Sequence, residues 1–311
     1  MLLTVTLNAA IDKRYVVEDH QKGEVNRVKQ CDYVAGGKGL NVSKTAVIAG
    51  AEVLATGFVG GHAGNYIIEA VEAKGVKTDF VRVNGESRSC INIYDEKTKT
   101  QTEFLEPGPT VTKEEQEAFY VKYKELLKAC NVVAISGSIP KGIGMDMYPK
   151  LVAMAKEAGK KVIIDTSGNL LEKAILAKPD MIKPNIDEIR LLTGEKIDSD
   201  DELIKAGIAL QKSGIACVVI SLGGDGALMF TKDGVLKAKI PSVDVVNTTG
   251  CGDTMIAGFA VAMEQGMSLK EAFRFSSAAS TASAMQEETG FYVKEDMKKL
   301  LLQIKVEEVQ N

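Results

Sequence analysis

Short apolar runs alternate with longer amphipathic segments through the middle and the C-terminal part of the chain. The runs are rich in β-branched residues and end in polar or glycine turns, which predicts buried strands. The segments between them repeat apolar positions at helical spacing, which predicts helices. The predicted strands are 131–140, 160–165, 180–185 and 216–226, and the predicted helices are 145–159, 167–177 and 199–214. Buried strands separated by helices are typical of an α/β fold, in which a mostly parallel sheet is covered on both faces.

Two further segments, 12–37 and 87–109, alternate apolar and polar residues and contain no long helical pattern. Such alternation predicts strands with one solvated face. Although the two segments are far apart in the sequence, they can pair as a small sheet beside the main one. The chain shows no internal repeat and no low-complexity linker, so we predict a single domain over 1–311 that includes the small sheet.

The composition narrows the class of partner. Hydrophobic residues make up 45% of the chain and charged residues 26%, as in ordinary globular proteins. The net charge of -4 favours neither nucleic acid nor an anionic membrane as a partner. No apolar run approaches the roughly 20 residues that span a bilayer. The N-terminal stretch carries Asp12 and Lys13 where a secretory signal would be apolar, so no signal peptide is predicted.

Cysteine and histidine usage narrows the chemistry. The five cysteines are scattered and never spaced as C-x-x-C, which argues against a disulfide framework or a zinc site and predicts a cytoplasmic location. Because the chain has only two histidines, a carboxylate is favoured as any general base.

The stretch NTTGCGDTMIAGFA, residues 247–260, places Asp253 at the start of a predicted helix. A helix N-terminus carries free N–H groups and partial positive charge, so it suits an anion. Either Asp253 is that anion and caps the helix, or the N–H groups receive a phosphoryl group while the carboxylate accepts a proton. A dinucleotide-binding fingerprint does not fit, because Met255 stands at its third glycine position.

A second glycine-rich stretch, GGKGLN at 36–41, also precedes a helical pattern. Its glycines allow a ligand to approach the backbone and Lys38 to meet a phosphate, although an ordinary turn into a helix explains the pattern equally well. It is not a P-loop, because G-x-x-x-x-G-K-[ST] does not occur. Arg88 is either a solvated surface charge or, if the small sheet covers the same cleft, a ligand contact.

Two more stretches each allow a structural and a functional interpretation. In KPNIDEI, 183–189, Asn185 and Glu188 form a capping-box pattern, or both face a hydrated magnesium ion. In VISLGGDGAL, 219–228, the glycines after Ser221 predict a hairpin turn, a floor for a nucleotide, or both.

Taken in order along the chain, these stretches resemble the ribokinase-like (PfkB) family of sugar kinases. AGGKGLN (35–41) and NTTGCGDTMIAGF (247–259) are similar to the two signatures of that family. TVTLNAAID (4–12) is similar to the branch that phosphorylates hexose monophosphates, namely tagatose-6-phosphate kinases and 1-phosphofructokinases. The resemblance implies a ribokinase-like three-layer α/β domain with a central, mostly parallel sheet. It also implies a small β-sheet lid, formed by about 12–37 and 87–109, through which two subunits form a homodimer.

The resemblance further implies ATP and Mg²⁺ and assigns roles to the candidate residues. Asp253 would be the catalytic base, and the transferred phosphoryl group would meet the backbone of Gly250, Cys251, Gly252 and Asp253. The implied contacts of the sugar phosphate are Asp12, Gly37, Lys38, Asn41 and Arg88, of which Lys38 and Arg88 would face its phosphate. The implied ATP site is Lys183, Asn185, Ser221, Gly223, Gly226 and Gly252, and Glu188 would organise Mg²⁺ through water. No residue of the sequence indicates whether a monovalent cation also binds.

Two positions depart from the family pattern. Cys251 stands where alanine or serine is usual, and Ala9 stands where this branch often has proline. A thiol is small enough to leave the backbone N–H free, so we expect activity to be kept. Sensitivity to oxidation at Cys251 is a hypothesis that follows from the same departure.

The motifs SRSCINI, GGKGLNV, GSIPKG and EPGP are more similar to tagatose-6-phosphate kinases than to 1-phosphofructokinases. We therefore predict an ATP-dependent kinase that transfers the γ-phosphoryl group to a primary hydroxyl of a ketohexose monophosphate, giving tagatose 1,6-bisphosphate from tagatose 6-phosphate. The alternative acceptor is fructose 1-phosphate, giving fructose 1,6-bisphosphate. The rival classes are an NAD-dependent oxidoreductase, whose fingerprint is incomplete here, and a non-catalytic sugar-phosphate sensor, which would not need Asp253.

Overall fold

Strands and helices alternate along most of the chain in the computed structural model, which describes residues 1–194 and 196–309. The strands are β1 (Leu2–Thr6), β2 (Ala10–Val17), β3 (Gln30–Gly36), β4 (Val53–Val59), β5 (Lys77–Thr78), β6 (Val81–Arg82), β7 (Arg88–Asp95), β8 (Thr100–Leu105), β9 (Val132–Ser136), β10 (Lys161–Asp165), β11 (Met181–Ile182), β12 (Cys217–Ser221), β13 (Ala227–Thr231), β14 (Gly234–Lys239) and β15 (Lys305–Glu308). The helices are α1 (Lys38–Ile48), α2 (Gly61–Glu72), α3 (Lys113–Leu126), α4 (Met147–Glu157), α5 (Gly168–Leu176), α6 (Ile186–Thr193), α7 (Asp200–Lys212), α8 (Cys251–Glu264), α9 (Leu269–Ala284) and α10 (Lys294–Gln303). Within the described residues, none of these helices is long and apolar enough to cross a membrane.

The larger of the two sheets runs through the centre of the molecule. Its strand order is β15-β14-β13-β12-β11-β10-β9-β1-β4-β5, and β6 also pairs with β4. Neighbouring strands from β12 to β5 run parallel, whereas β13, β14 and β15 pair antiparallel at the other edge. Leu3 of β1 is in register with Leu54 of β4 on one side and with Val133 of β9 on the other. The predicted mostly parallel sheet is confirmed.

Helices cover both faces of the large sheet because successive strand residues point to opposite sides. Val132 and Ala134 of β9 belong to a core that includes buried residues of α1, α8 and α9. Val133 and Ile135 of the same strand belong to a second core, with buried residues of α3, α4 and α7. The strands are therefore apolar on both faces, which explains why they stand out in the sequence as continuous apolar runs.

The small sheet has the strand order β3-β2-β7-β8. Its centre is a parallel pairing of β2 with β7, which runs from Ala10 opposite Arg88 to Val17 opposite Asp95. The outer strands β3 and β8 pair antiparallel with these two, and β8 is exposed along its whole length. The two distant amphipathic segments thus pair with each other, as their alternation predicts. Their role as a lid stays a prediction.

The predicted helices between strands are confirmed as α4, α5 and α7, but three predicted strands are shorter than expected. The predicted strand 131–140 contains only β9, which ends at Ser136. The predicted strand 180–185 contains only β11, because Pro184 has no N–H for the strand pairing and Asn185 begins the cap of α6. The predicted strand 216–226 ends at Ser221, and the glycines after it form the turn into the antiparallel strand β13. The predicted hairpin is therefore present.

Candidate active site

The carboxyl ends of the parallel strands lie near the start of α8 at one edge of the large sheet. Gly250 precedes α8 with a φ of +83°, a backbone conformation that favours glycine. A Cβ at Gly250 would also lie 2.7 Å from Thr289 Cγ2, so the turn has no room for a side chain. No side chain caps the helix that begins at Cys251. Its first turn of amide N–H groups is therefore suited to an anion.

Asp253 lies in this first turn and is almost completely buried. Its Oδ2 accepts a hydrogen bond of 2.8 Å from Asn41 Nδ2, which belongs to α1. The carboxylate is thus bonded to another helix and does not cap its own. Burial, and then the charge of Asp165, raise the pKa of Asp253 to about 7. A carboxyl group with such a pKa can accept and release a proton near neutral pH.

Asp165, the last residue of β10, is a further candidate residue that the sequence analysis did not name. It is buried, and its Oδ1 lies 3.6 Å from Lys183 Nζ while its Oδ2 lies 3.5 Å from Lys38 Nζ. Burial alone would raise the pKa of Asp165, but the two ammonium groups outweigh it and hold the pKa below its usual value. The signal was its place at the carboxyl end of a buried strand, where ligands of parallel sheets bind.

The two carboxylates therefore have different protonation behaviour although they lie in one cluster. The ammonium groups keep Asp165 ionised, and its negative charge makes the ionised form of Asp253 harder to reach. Environments that push the pKa values of two neighbouring acids apart are typical of acid–base catalysis. In the same cluster, the charge of Asp165 has the largest effect on Lys38 and raises its pKa. Burial, the next largest effect, lowers this pKa, and the charge of Asp253 raises it by less.

Lys183 follows β11 and places a buried ammonium group over the start of α8. A Cβ added to Gly252 would lie 3.0 Å from Lys183 Nζ, so the glycine allows this approach. The positive end of the helix, the Lys183 charge and the Lys38 charge thus converge beside Asp253. This arrangement can receive a negatively charged group next to a proton acceptor.

The start of α1 brings Asp12 of β2 close to the same region. Gly37 has a φ of +99° and leads directly into the helix. The Asp12 carboxylate occupies the space beside Gly36, where a Cβ would lie 2.0 Å from Asp12 Oδ2. Burial raises the pKa of Asp12, while Lys44, Arg88 and the backbone N–H of Gly37 oppose the rise. A half-buried acceptor of this kind is suited to bind a sugar hydroxyl.

Arg88 begins β7 and faces a cavity of about 700 Å³ between the small sheet and α2. Its Nε donates to the Asn8 carbonyl at 3.1 Å, and its Nη1 donates to the Glu106 carbonyl at 3.3 Å. The other residues that line the cavity are Ile11, Lys13, Tyr33, His62, Ala63, Tyr66, Glu86, Ser87, Ser89, Glu106, Pro107 and Gly108. Lys38 pairs with Asp165 instead, so the two cations that were expected to face one phosphate contact different partners.

The candidate nucleotide residues lie beside each other along the same edge. Ser221 N donates to the Pro184 carbonyl at 3.2 Å, which joins the end of β12 to the residues before α6. Asn185 and Glu188 form a complete capping box, since Glu188 N donates to Asn185 Oδ1 and Asn185 N donates to Glu188 Oε2. The structural interpretation of this pair is confirmed, and the magnesium interpretation stays a prediction.

Backbone conformation and close packing are enough to explain why glycine stands at two positions of the hairpin. Gly223 and Gly226 have φ values of +60° and +90°, and a Cβ at Gly226 would lie 2.0 Å from the Ala238 carbonyl oxygen. Close backbone packing is thus compatible with a nucleotide floor but does not require one.

Cys251 does not have the environment of a reactive thiol. Its Sγ lies 3.7 Å from the Asn247 carbonyl oxygen, and burial raises its pKa to about 11. Because the thiolate is the reactive form, this pKa disfavours the oxidation hypothesis.

Comparison with known proteins decides the family. A model of the pfkB family carbohydrate kinases matches residues 3–296. The chain belongs to this family. Over 99% of its length it is 38% identical to the whole of a tagatose-6-phosphate kinase from Staphylococcus epidermidis, and it is 37% identical to a 1-phosphofructokinase from Borreliella burgdorferi, with 99% of both chains covered. The crystal structure of phosphofructokinase-2 from Escherichia coli in complex with potassium has a TM-score of 0.90 and 25% identity, over 97% of this chain and 98% of that one.

This pfkB family kinase therefore has the ribokinase-like fold and the enzyme class that its two signatures predict. The family implies ATP as a substrate and, as a rule, a divalent metal ion. Within residues 1–194 and 196–309 there is no group of three or more His, Cys, Asp or Glu side chains that could hold a metal by themselves. A shared metal would suit the site nonetheless, because Mg²⁺ keeps waters and binds one or two carboxylates together with substrate phosphates.

Proposed function

We propose that the protein transfers the γ-phosphoryl group of ATP to a primary hydroxyl of a ketohexose monophosphate, with Asp253 as the general base. The observation that carries this proposal is the pairing of two buried carboxylates beside the glycine turn of α8. Asp165 is ionised against two lysines, whereas the pKa of Asp253 is raised to about 7. A merely binding protein has no use for a buried, tunable proton acceptor at that position.

The chemical step follows from the geometry of this turn. Asp253 accepts the proton of the attacking hydroxyl, while Asn41 fixes the orientation of its carboxylate through the 2.8 Å hydrogen bond. The backbone from Gly250 to Gly252 and the Lys183 ammonium receive the charge of the transferred group. Because the donors are held by two helices and a strand end, they need no rearrangement during transfer.

The acceptor is held from the side of the small sheet. Asp12, Gly37 and Asn41 bind the hydroxyl groups of the sugar, and Arg88 binds the phosphate that the sugar already carries. The position of Lys38 beside Asp165 supports a role nearer to the transferred phosphoryl group than to the sugar phosphate. The small sheet acts as a lid that excludes water during transfer.

The nucleotide lies along the end of β12 at Ser221, the hairpin glycines Gly223 and Gly226, and Gly252 in the first turn of α8. Lys183 and Asn185 lie near its phosphates. Glu188, through water, and Asp165 would fit a Mg²⁺ ion that is shared with those phosphates. Both Asp165 oxygens are buried, and among the described residues their ion-pair partners are the ammonium groups of Lys38 and Lys183. When bound, Mg²⁺ supplies charge neutralisation on the phosphate oxygens. The potassium in the related phosphofructokinase-2 supports a monovalent cation as a further component.

Tagatose 6-phosphate is the proposed acceptor, giving tagatose 1,6-bisphosphate. The whole-length relative of that name and the motifs around Arg88 and Lys38 support it. Fructose 1-phosphate, giving fructose 1,6-bisphosphate, is the second candidate, because the 1-phosphofructokinase relative is almost equally similar.

The test is ADP release from ATP-Mg²⁺ with a panel of tagatose 6-phosphate, fructose 1-phosphate, fructose 6-phosphate and the unphosphorylated sugars. We expect turnover with at least one phosphorylated ketohexose and the highest kcat/KM with tagatose 6-phosphate. A higher kcat/KM with fructose 1-phosphate would assign the second candidate. Binding of these sugars without ADP release would indicate a sensor instead, and binding of NAD would indicate an oxidoreductase.

A homodimer that forms through the small sheet is part of this proposal. Tyr33, Lys13, Ile91 and Phe104 lie in one row across the four strands, and the outer members Tyr33 and Phe104 are 49% and 54% exposed. A second copy of the chain would cover this row. Light scattering should give twice the chain mass of 33.4 kDa, and Phe104→Glu should halve it. Val121→Glu, on the exposed side of α3, is the control that should stay dimeric.

A further inference from the structure

Lys44 is a buried lysine that the proposed reaction does not use. It lies in the second half of α1, is 3% exposed, and extends its side chain between two parts of the molecule. Its Nζ donates to the Ala35 carbonyl at 3.0 Å and to the Thr289 carbonyl at 3.3 Å. Ala35 belongs to β3 at the base of the small sheet, and Thr289 belongs to the connection between α9 and α10. One ammonium group thus joins both to α1.

The connection around Thr289 packs directly against the candidate active site. Thr289 Cγ2 fills the space where Gly250 has no Cβ, and a Cβ at Gly290 would lie 2.9 Å from Asn41 Oδ1. Asn247, which precedes the glycine turn, donates from its Nδ2 to the Glu287 carbonyl at 3.1 Å and to Thr289 Oγ1 at 3.3 Å. Residues 287–290 therefore support both the turn at Gly250 and the amide that holds Asp253.

Charged groups from four directions face the Lys44 ammonium. They are Asp12 of β2, Glu288 of the connection, Lys74 beyond the end of α2 and Asp253 of α8. Burial lowers the pKa of Lys44 to about 8, although the three carboxylates favour its charged form. Between this value and the ordinary 10.5 the folded protein binds fewer protons than the unfolded chain, so the contribution of Lys44 to stability increases with pH.

We propose that Lys44 is a positioning residue: its buried ammonium ties the base of the small sheet to residues 287–290, and through them sets the Gly250 turn and the Asn41–Asp253 contact for phosphoryl transfer. The proposal rests on the proposed kinase reaction for its kinetic consequence. The tie itself depends only on the contacts of Lys44.

The first test compares Lys44→Met, which keeps length and loses charge, with Lys44→Arg, which keeps charge and donors. We expect Lys44→Met to lower kcat about 10- to 100-fold, as misplacement of a reacting geometry does, and to leave the KM for ATP within about twofold. Lys44→Arg should recover most of kcat.

The matched control is Lys74→Met, which removes a charge paired with Glu288 but leaves both Lys44 contacts, and which should keep kcat within about twofold. Normal kcat in Lys44→Met, or an equal loss in Lys74→Met, would overturn the proposal.

The pH profile separates positioning from folding and does not require Lys44→Met to fold. Wild-type kcat should decline above about pH 8, where the ammonium loses its proton, while thermal stability at the same pH shows no parallel loss from this group. In Lys44→Arg the alkaline decline should be absent, because a guanidinium stays charged. An identical decline in a folded Lys44→Arg would contradict the assignment.

Hydrogen exchange supplies a readout that is independent of the sugar. Peptides that cover 246–252 and 285–293 should exchange faster in Lys44→Met, or in wild type above about pH 8 after correction for the intrinsic rate, than in Lys44→Arg. Unchanged exchange would contradict the structural role of Lys44 even if the enzyme were a kinase. Faster exchange in a protein that phosphorylates no ketohexose phosphate would support the structural role of Lys44 and contradict the proposed function.

Discussion

The carboxyl edge of the large sheet and the small sheet differ in how each holds its charged groups. At the edge, Asp165, Lys183 and Asp253 are 2%, 6% and 6% exposed. In the small sheet, Asp12 and Arg88 are only half-buried, and β8 is exposed throughout. A buried charge is stable only when it is paired, so each charged group at the edge is held by an ion pair or a hydrogen bond. The charged groups of the small sheet are less buried and therefore depend less on a fixed partner.

This difference predicts two kinds of kinetic response. In the proposed reaction, groups at the edge would meet the reacting atoms and should affect kcat, whereas groups on the small sheet would meet the remote phosphate and should affect KM. The comparison fails if a small-sheet variant behaves like an edge variant. Each of the following changes tests it, in order of decreasing expected effect.

Asp253→Asn removes the proposed base but keeps the size of the side chain. We expect kcat to fall by about 10²–10⁴, the usual contribution of general base catalysis, with ATP binding retained. Asp233→Asn, in the exposed turn between β13 and β14, is the matched control and should have normal kcat. Steady-state kinetics together with nucleotide titration measure both quantities. Near-normal turnover in Asp253→Asn would exclude it from the mechanism.

Asp165→Asn removes the shared partner of two lysines. Because a buried lysine is then left without its counter-charge, we expect a loss of about 3–5 kcal/mol in the free energy of unfolding. The equivalent change on the small sheet, Asp12→Asn, should cost less, since the pKa of Asp12 is raised by burial and its ionised form is not favoured there. Urea unfolding of both variants measures the difference. Equal losses would show that the two regions hold charge in the same way.

Arg88→Ala should change the KM of the sugar phosphate and leave kcat nearly intact. A hydrogen bond to a charged group contributes about 1.5–3 kcal/mol, which corresponds to roughly a 10- to 100-fold rise in KM. The KM for ATP should stay within about twofold. Arg82→Ala is the control, because its guanidinium is bonded to Asn65 outside the cavity. A comparable rise in both KM values after Arg88→Ala would contradict its assignment to the sugar side.

The pH dependence of kcat/KM should report the raised pKa of Asp253. The base acts in its ionised form, so the rate should rise with pH up to about 7, before the decline expected above about pH 8 from Lys44. The folded pKa exceeds the ordinary 3.8, so the folded state binds the extra proton and the contribution of Asp253 to stability falls as pH rises through this window. In Asp165→Asn the acid limb should move to lower pH, because the charge that raises the pKa is gone. An unmoved limb would assign it to another group.

The sequence predicted the elements whose information is local and the pairing of the two amphipathic segments, but it missed side-chain contacts between distant elements. Asp253 could be found because its glycines and its helix are contiguous, and the capping box of Asn185 and Glu188 because its spacing is fixed. Asp165 was missed because its partners Lys183 and Lys38 come from other elements. Lys44 was missed for a related reason, since a lysine in an amphipathic helix gives no sign that it is buried.

The smallest effect on activity is expected for Cys251, the cysteine at the carboxyl edge of the large sheet. Burial raises the pKa of Cys251 to about 11, whereas Cys31 lies on the exposed side of the small sheet. Since alkylation requires the thiolate, iodoacetamide at neutral pH should modify Cys31 before Cys251 in the monomeric variant Phe104→Glu, in which no second copy covers the face that carries Cys31 and Tyr33. Cys251→Ala should change kcat by less than about twofold. Mild peroxide should leave the rates of wild type and Cys251→Ala alike. Early labelling of Cys251 with loss of activity would show that the start of α8 is more open than its packing implies, and the distinction between the two regions would then not hold.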